Sequence, residues 1–128
     1  RTFTDIDDGI DGLLRVLDNK DSQASGRIFN LGNPQNDYSI KDLVDIIIAL
    51  MKEYPETKEI ADKVKITSVD ADTFYGAHYQ DTQHRVPSIA NAQKYLGWQP
   101  TIDLKTALRK TLDYHLSRPD ITLANITA

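Results

Sequence analysis

YQDTQHRVPSIANAQKYLGWQP, residues 79–100, is the stretch that decides how the fold is interpreted. Its first half is a polar loop, in which Pro87 stiffens the backbone and Ser88 is placed to cap the first free amides of a helix. The helical face that follows has apolar residues at three- and four-residue steps: Ile89, Ala92 and Leu96. Gly97 stands where a left-handed residue ends a helix. The pattern therefore predicts a helix of about two turns that holds a polar loop in place.

Upstream of this stretch, Thr4 is predicted to cap a first helix whose first turn is rich in aspartate. Its apolar face is expected to contain Ile6, Ile10, Leu13, Leu14 and Leu17. Residues 27–32, RIFNLG, are predicted to form a short strand that belongs to the sheet of a missing partner. Such a strand would leave an exposed edge or drive association.

Ser39 and Asp42 have the spacing of a capping box, which predicts the start of a second helix. The apolar residues of this helix predict that it is the most strongly buried one: Ile40, Leu43, Val44, Ile47, Ile48 and Met51. Residues 64–69 alternate apolar and polar side chains, which is typical of a half-buried strand. Thr101 or Asp103 is expected to cap a last helix. Residues 120–128 are predicted to be a flexible tail.

Composition bounds the class of protein. The chain has 128 residues, of which 40% are hydrophobic and 27% charged, with a net charge of −4 and no cysteine. These values suit one soluble domain and exclude disulfides and thiolate metal sites. The mixed charges form no basic stripe for nucleic acid, and no apolar run is long enough to enter a membrane. We expect a cytoplasmic protein without a bound metal, although His78, His84 and Asp81 share the polar loop.

Tyr54 and Lys58 have the spacing Tyr-x-x-x-Lys of a catalytic pair. In that pair, a nearby ammonium lowers the pKa of the phenol from its usual value of about 10. Pro55 follows the tyrosine directly and disfavours a helical conformation for it. We therefore interpret this segment as a helix end and a charged connector.

Four further segments support a family resemblance. The pattern R-x-P-S-I-x-x-A-x-x-x-L-G-W-x-P lies at residues 85–100, RTFTDI at 1–6, NLGNP at 30–34 and YQD at 79–81. Together they resemble the C-terminal part of the extended short-chain dehydrogenases, the NAD-dependent epimerase/dehydratase family that acts on nucleotide sugars. Within that family the resemblance is strongest to the UDP-glucuronate decarboxylase half of the bifunctional polymyxin-resistance enzymes. It extends over essentially the whole chain.

The resemblance implies an α/β fold of Rossmann-like origin, in which residues 1–128 form a single substrate-binding lobe with helices around two or three short strands. The N-terminal dinucleotide-binding part would be absent, because the chain has neither a Gly-rich phosphate turn nor an acceptable Tyr-x-x-x-Lys pair. The implied cofactor is NAD, with no cofactor-binding residue in this chain. The isolated chain is thus expected to be inactive. Its expected partners are UDP-glucuronate or a related nucleotide sugar and the missing dinucleotide-binding half. A homo-oligomer is also compatible with the resemblance.

The implied reaction is oxidative decarboxylation of UDP-glucuronate to a UDP-4-keto-pentose, as in the lipid A modification that gives polymyxin resistance. In this family the arginine at the position of Arg85 is the catalytic proton donor, while Tyr79 and Arg1 match positions that hold the nucleotide sugar. An arginine offers a fixed fork of donors for carboxylate or phosphate. Spacing alone would favour a structural role for Arg85. Because so weak an acid donates protons poorly, its electrostatic role is the better supported one.

Two alternatives remain. The first is the substrate lobe of a related epimerase, dehydratase or xylose-forming decarboxylase; an epimerase has no carboxylate to expel and would not need Arg85. The second is a helical interaction module without catalysis, which a start codon next to Arg1 would support. A Gly-x-x-Gly-x-x-Gly strand-turn-helix encoded before Arg1 would support the enzyme.

Overall fold

The computed structural model describes residues 1–69, 73–74, 76 and 84–118. Tyr79, most of the polar loop and the predicted tail at 120–128 lie outside these residues. Within the described residues, α1 spans Ile6–Asp18, α2 Ile40–Met51, α3 Pro55–Lys63 and α4 Leu104–Leu116. Short turns of other helix types occupy Lys20–Ser22 and Ala92–Leu96. None of the helices described has both the length and the apolar composition required to cross a bilayer.

The two predicted strands are wrong. Residues 27–32 and 64–69 belong to no regular element, and the described part of the chain contains no strand. A strand exists only as part of a hydrogen-bonded ladder. The one isolated bridge in the described residues is antiparallel and joins Thr2 to Asp37. The expected α/β class is therefore supported only in its helical part.

The first helix forms where it was predicted, but its cap and its orientation differ. Asp5 is the N-cap, with its carboxylate accepting from the amide of Asp7, whereas the hydroxyl of Thr4 accepts from the amide of Asn33 at 3.1 Å. The predicted apolar face of α1 is exposed, by 45–78%, at Ile6, Ile10, Leu13, Leu14 and Leu17. The opposite side is buried instead, because Gly12 has no side chain and lets α1 approach Leu31 and Trp98 closely.

The capping box of α2 is confirmed. The hydroxyl of Ser39 accepts from the amide of Asp42, and the carboxylate of Asp42 accepts from the amide of Ser39, both at 3.0 Å. The predicted apolar face of α2 is exposed at Ile40, by 55%, whereas Leu43, Val44, Ile47, Ile48 and Met51 are partly buried and Leu50 of the same helix is fully buried. The expected burial of α2 is thus confirmed except at Ile40. The sequence analysis missed α3, which begins at Pro55, a residue whose fixed φ suits the first helical position.

The core lies beneath residues 89–98. Ile89, Ala92 and Trp98 are buried together, and partly buried Phe29, Leu31 and Leu96 pack against them. The predicted face is thus confirmed, as is Gly97, which ends the turn with a left-handed φ of 58°. The predicted cap is wrong. The helix begins at Ala90 and continues as a π-helical turn at Ala92–Leu96, and the hydroxyl of Ser88 makes no described hydrogen bond to it.

Polar side chains form hydrogen bonds with main-chain groups near the start of α4. The amide groups of Asn33 and Asn36 both donate to the carbonyl of Ile102, at 3.0 Å each. Asp103, not Thr101, is the N-cap of α4 and accepts from the amide of Thr106. These contacts fix the N-terminal residues, the turn after residue 32 and the start of α4 relative to one another.

Candidate functional site

The first residues of the chain pair with residues 36–38. The amide of Tyr38 donates to the carbonyl of Arg1 at 3.0 Å, and the main-chain nitrogen of Arg1 donates back to the carbonyl of Tyr38 at 2.8 Å. The amide of Phe3 donates to the carbonyl of Asn36 at 3.1 Å. These three bonds surround the antiparallel contact between Thr2 and Asp37, which we call the Thr2–Asp37 bridge. Arg1, a predicted substrate-binding residue, therefore has a fixed backbone.

Residues 84–88, which we call the arginine segment, lie against this bridge. The hydroxyl of Thr2 donates a 2.9 Å hydrogen bond to the main-chain carbonyl of Arg85, across 83 positions of sequence. The Nδ1 atom of His84 lies 3.7 Å from Oδ2 of Asp37. The bridge thus brings the backbones of two predicted site residues, Arg1 and Arg85, to the same edge of the protein.

The far end of the arginine segment is held by close packing. A Cβ atom added to Gly32 would lie 2.8 Å from Cγ of Pro87, so the two residues are in direct contact and only glycine fits there. The side-chain amide of Asn30 donates to the carbonyl of Ser88 at 3.2 Å. The loop that precedes the core residues is therefore anchored at both of its described ends.

Asp37 is the acidic group at this edge. Its Oδ1 atom lies 3.3 Å from the main-chain nitrogen of Arg1, and its Oδ2 atom faces His84. The backbones of Arg1 and Arg85 lie at the same bridge, and both residues are exposed to solvent. An exposed pair of arginines can bind carboxylate or phosphate groups of a ligand. The chemistry that this arrangement offers is anion binding and stabilisation of developing negative charge.

Tyr54 and Lys58 contact two different aspartates, Asp113 and Asp62. The backbone of Tyr54 is extended, with φ −104° and ψ 124°, and its hydroxyl donates to Asp113 at 2.6 Å. That hydrogen bond raises the pKa of Tyr54, whereas a catalytic tyrosine needs a lowered one. Lys58 pairs with Asp62 at 3.0 Å. Tyr54 therefore links the start of α3 to α4, and Lys58 forms an ion pair within α3. The interpretation of this segment as a helix end and a charged connector is wrong, because Tyr54 is the N-cap of α3 and Lys58 lies in its first turns.

The sequence analysis missed Thr2 and Asp37. Thr2 lies in one of the resembling segments and Asp37 shortly after another, but they contact residues far away in the sequence. No local spacing predicts such contacts. Asn33 stabilises the turn after residue 32, since its side chain accepts from the amide of Gln35 at 3.0 Å. Asn33 and Asn36 are nearly fully buried and hydrogen-bonded, but their burial appears only in the folded structure.

The described residues do not fit a dinucleotide. A phosphate turn needs glycines between a strand and a helix. Here Gly12 contacts Leu31, Gly32 contacts Pro87 and Gly97 ends a turn. In the described ranges, His, Asp and Glu side chains also form no group of three that could hold a metal ion.

A groove of about 330 Å³ lies apart from this edge, between the end of α1 and the turn at Ala92–Leu96. Its lining mixes opposite charges, including Arg15, Lys94 and Asp18. Arg15 is already engaged, because its guanidinium pairs with Asp11 and donates to the carbonyls of Leu96 and Gly97. The groove is therefore explained by structural contacts, and none of the predicted site residues lines it.

Comparison with known proteins places this arrangement in context. No family model matches the chain. The structure resembles part of the crystal structure of the PbgP3 protein from Burkholderia pseudomallei, with a TM-score of 0.72 and 36% sequence identity. The match covers 86% of this chain and 29% of the PbgP3 chain. This chain therefore has the fold of a portion of that protein and spans less than a third of its length.

Proposed function

We propose that this chain is the C-terminal, sugar-nucleotide-binding part of an NAD-dependent UDP-glucuronate decarboxylase. The reaction would convert UDP-glucuronate into a UDP-4-keto-pentose and carbon dioxide in the cytoplasm, as a step of lipid A modification and polymyxin resistance. Two arginines match positions that bind the nucleotide sugar and act on its carboxylate, and Tyr79 belongs to the same proposed site.

One observation carries the proposal: the backbones of Arg1 and Arg85 meet at the Thr2–Asp37 bridge. The two residues are far apart in sequence, so an unrelated helical module would have no reason to bring these particular positions together. The likeness to PbgP3 supports a related function at a coarse level, since 36% identity extends over most of this chain. The assignment to decarboxylation rests on Arg85 and on the resemblance of the segments around it.

The chemistry proposed for Arg85 is electrostatic. A 4-keto acid loses carbon dioxide through an enolate-like state, in which negative charge moves from the carboxylate onto the ketone oxygen. A fixed cation beside these groups lowers the energy of that state more than it lowers the energy of the ground state. A guanidinium keeps its charge at any physiological pH, and water can supply the proton that finally reaches carbon.

We expect hydride transfer to depend on residues outside this chain, because Gly12, Gly32 and Gly97 form no phosphate turn for a dinucleotide. We propose that NAD⁺, which would oxidise C4 of the sugar, is held by a separate dinucleotide-binding half of the enzyme. The exposed apolar face of α1 supports such a partner, because five large side chains there are 45–78% exposed and an apolar surface of this kind marks an interface.

The proposal is tested by measuring the products that the gene product containing this chain forms from UDP-glucuronate. The gene product is expected to release carbon dioxide from UDP-glucuronate in the presence of NAD⁺, while this chain alone neither binds NAD⁺ nor consumes the sugar nucleotide. An epimerase would invert the sugar without releasing carbon dioxide. A tight, stoichiometric complex of NAD⁺ with this chain alone, measured by calorimetry, would contradict the proposed division of labour.

A further inference from the structure

We infer that Thr2 and Asp37 are positioning residues for Arg85, and that the Thr2–Asp37 bridge holds the arginine segment in its working geometry. This inference rests on the proposed function, which it deepens by naming how the cation is aimed. It concerns residues that would touch neither the substrate nor the cofactor.

Thr2 contacts the main chain of Arg85 directly. The hydroxyl of Thr2 donates to the carbonyl of Arg85 at 2.9 Å, a good length for a hydrogen bond of this type. The carbonyl belongs to the same residue as the guanidinium, so the bond restrains the point from which the side chain extends. A displacement of about 1 Å at a reacting group can lower a rate by about a hundredfold.

Thr2 is itself fixed. Main-chain hydrogen bonds join Arg1 to Tyr38 on one side of it and Phe3 to Asn36 on the other. Asn36 is 3% exposed and is held by hydrogen bonds to Ile102 and Leu104. The hydroxyl of Thr2 is therefore presented from a rigid base, as a positioning group requires.

Asp37 faces the same segment from the other side of the bridge. Its carboxylate lies 3.7 Å from Nδ1 of His84, the residue that precedes Arg85. At this distance the two groups are beyond hydrogen-bond length, so the contact is a weak second restraint beside the hydrogen bond from Thr2 to Arg85. Gly32 then fixes the other end through its contact with Pro87.

The contact is tested first in this chain alone, by the carbonyl carbon chemical shift of Arg85 in NMR spectra. Thr2→Val keeps the shape but removes the hydroxyl and is expected to move that shift, whereas Thr2→Ser keeps the hydroxyl and is expected to restore it. Thr111→Val removes a hydroxyl that donates within α4 and is the matched control, with no expected change at Arg85. An unchanged Arg85 shift in Thr2→Val would overturn the inference.

The consequence is tested in the gene product that contains the chain. Thr2→Val is expected to lower kcat for carbon dioxide release about 3- to 10-fold with KM nearly unchanged, the effect of one lost neutral hydrogen bond. Asp37→Asn is expected to act in the same direction, with Asp45→Asn as its control because Asp45 pairs with Lys41 at the surface. Thr2→Ser keeps the hydroxyl and should restore kcat. A merely structural defect at residue 2 would not be corrected by serine.

The outcomes separate the two proposals. If Thr2→Val moves the Arg85 shift but leaves kcat unchanged, the positioning inference is wrong and decarboxylation stands. If the unaltered gene product releases no carbon dioxide from UDP-glucuronate, the proposed function is wrong, while the Arg85 shift still decides whether Thr2 holds the arginine segment.

Discussion

The indole nitrogen of Trp98 donates a 2.9 Å hydrogen bond to the main-chain carbonyl of Asp8, 90 residues away. The carboxylate of the same aspartate accepts from the amides of Thr101 and Ile102 at 3.0–3.1 Å. One residue of α1 therefore binds both the fully buried tryptophan of the core and the connection into α4. This arrangement orders the chain beneath the arginine segment.

Removal of the Asp8 carboxylate is expected to destabilise the fold. Asp8→Ala leaves the amides of Thr101 and Ile102 without their acceptor and should lower the free energy of unfolding by about 1–3 kcal/mol. Chemical denaturation monitored by the fluorescence of Trp98 measures the change. Asp11→Ala, at an exposed position of the same helix, is the control and should change stability by less than about 0.5 kcal/mol. Equal effects of the two substitutions would contradict the role given to Asp8.

Two glycines of α1 should respond in opposite directions to alanine. A Cβ atom at Gly12 would lie 2.8 Å from Leu31 and 3.1 Å from Trp98, so Gly12→Ala should destabilise by about 1–3 kcal/mol through overpacking. Gly9 has nothing within 4 Å of the added atom, and Gly9→Ala should stabilise by about 0.5–1 kcal/mol through the higher helix propensity of alanine. Thermal unfolding of both variants checks the pair. If Gly12→Ala left the unfolding temperature unchanged, α1 would have to lie farther from Leu31 and Trp98 than the structure shows.

Two serines next to helices should also differ. Ser39→Ala removes one side of a capping box and should cost about 1 kcal/mol. Ser88→Ala should be close to neutral, since the described structure gives the hydroxyl of Ser88 no capping role. Denaturation midpoints of the two variants provide the comparison, and a loss at Ser88 as large as that at Ser39 would restore the cap predicted from sequence.

Acid should weaken the contact between α4 and the end of α2. Arg109 holds the pKa of Glu53 below its usual value of 4.5 through a 2.6 Å hydrogen bond. Because the folded-state pKa is lowered, this contribution to stability is present above the unfolded pKa and is lost as the pH falls through the folded value. The difference in unfolding midpoint between the wild type and Glu53→Gln should therefore shrink below about pH 4.5, and high salt should reduce it at neutral pH. A difference that persists at low pH would indicate lost packing.

Local chemistry explains which structural predictions succeeded. The capping box at Ser39 and the left-handed residue at Gly97 depend on neighbours within one helical turn, so sequence determines them. The cap at Thr4 failed because its hydroxyl is used by Asn33, a contact across the chain. The exposed face of α1 and the missing strand at 27–32 failed for a related reason. Their apolar residues match a helical or strand pattern, but the surface that would cover them is not among the described residues.

The candidate site divides in the same way. Arg85, Arg1 and Tyr79 were identified by resemblance, since spacing alone favoured a structural arginine. The structure adds the proximity of the first two through the Thr2–Asp37 bridge, while Tyr79 lies outside the described residues and stays a prediction. One sequence taken by itself carries no signal for a hydrogen bond between positions 2 and 85, because the two residues become neighbours only after the chain folds.

The role of Arg85 is tested by separating charge from geometry in the gene product that contains the chain. Arg85→Lys keeps a cation and loses the planar fork, whereas Arg85→Met loses both. If Arg85 stabilises charge during loss of carbon dioxide, lysine should retain part of the activity, and methionine should lower turnover by about 10²–10³. Substrate binding should weaken less than turnover, because Arg1 and Tyr79 would still hold the nucleotide.

The step that fails should be decarboxylation itself. In single-turnover experiments with UDP-glucuronate and NAD⁺, the Arg85→Met enzyme is expected to form NADH at close to the wild-type rate. The 4-keto acid should then accumulate while carbon dioxide release lags, because the charge that develops as the carbon–carbon bond breaks lacks its cation. Carbon dioxide released by Arg85→Met at the wild-type rate would remove Arg85 from the chemistry. It would then be a structural arginine, held against Thr2 for the sake of the fold alone.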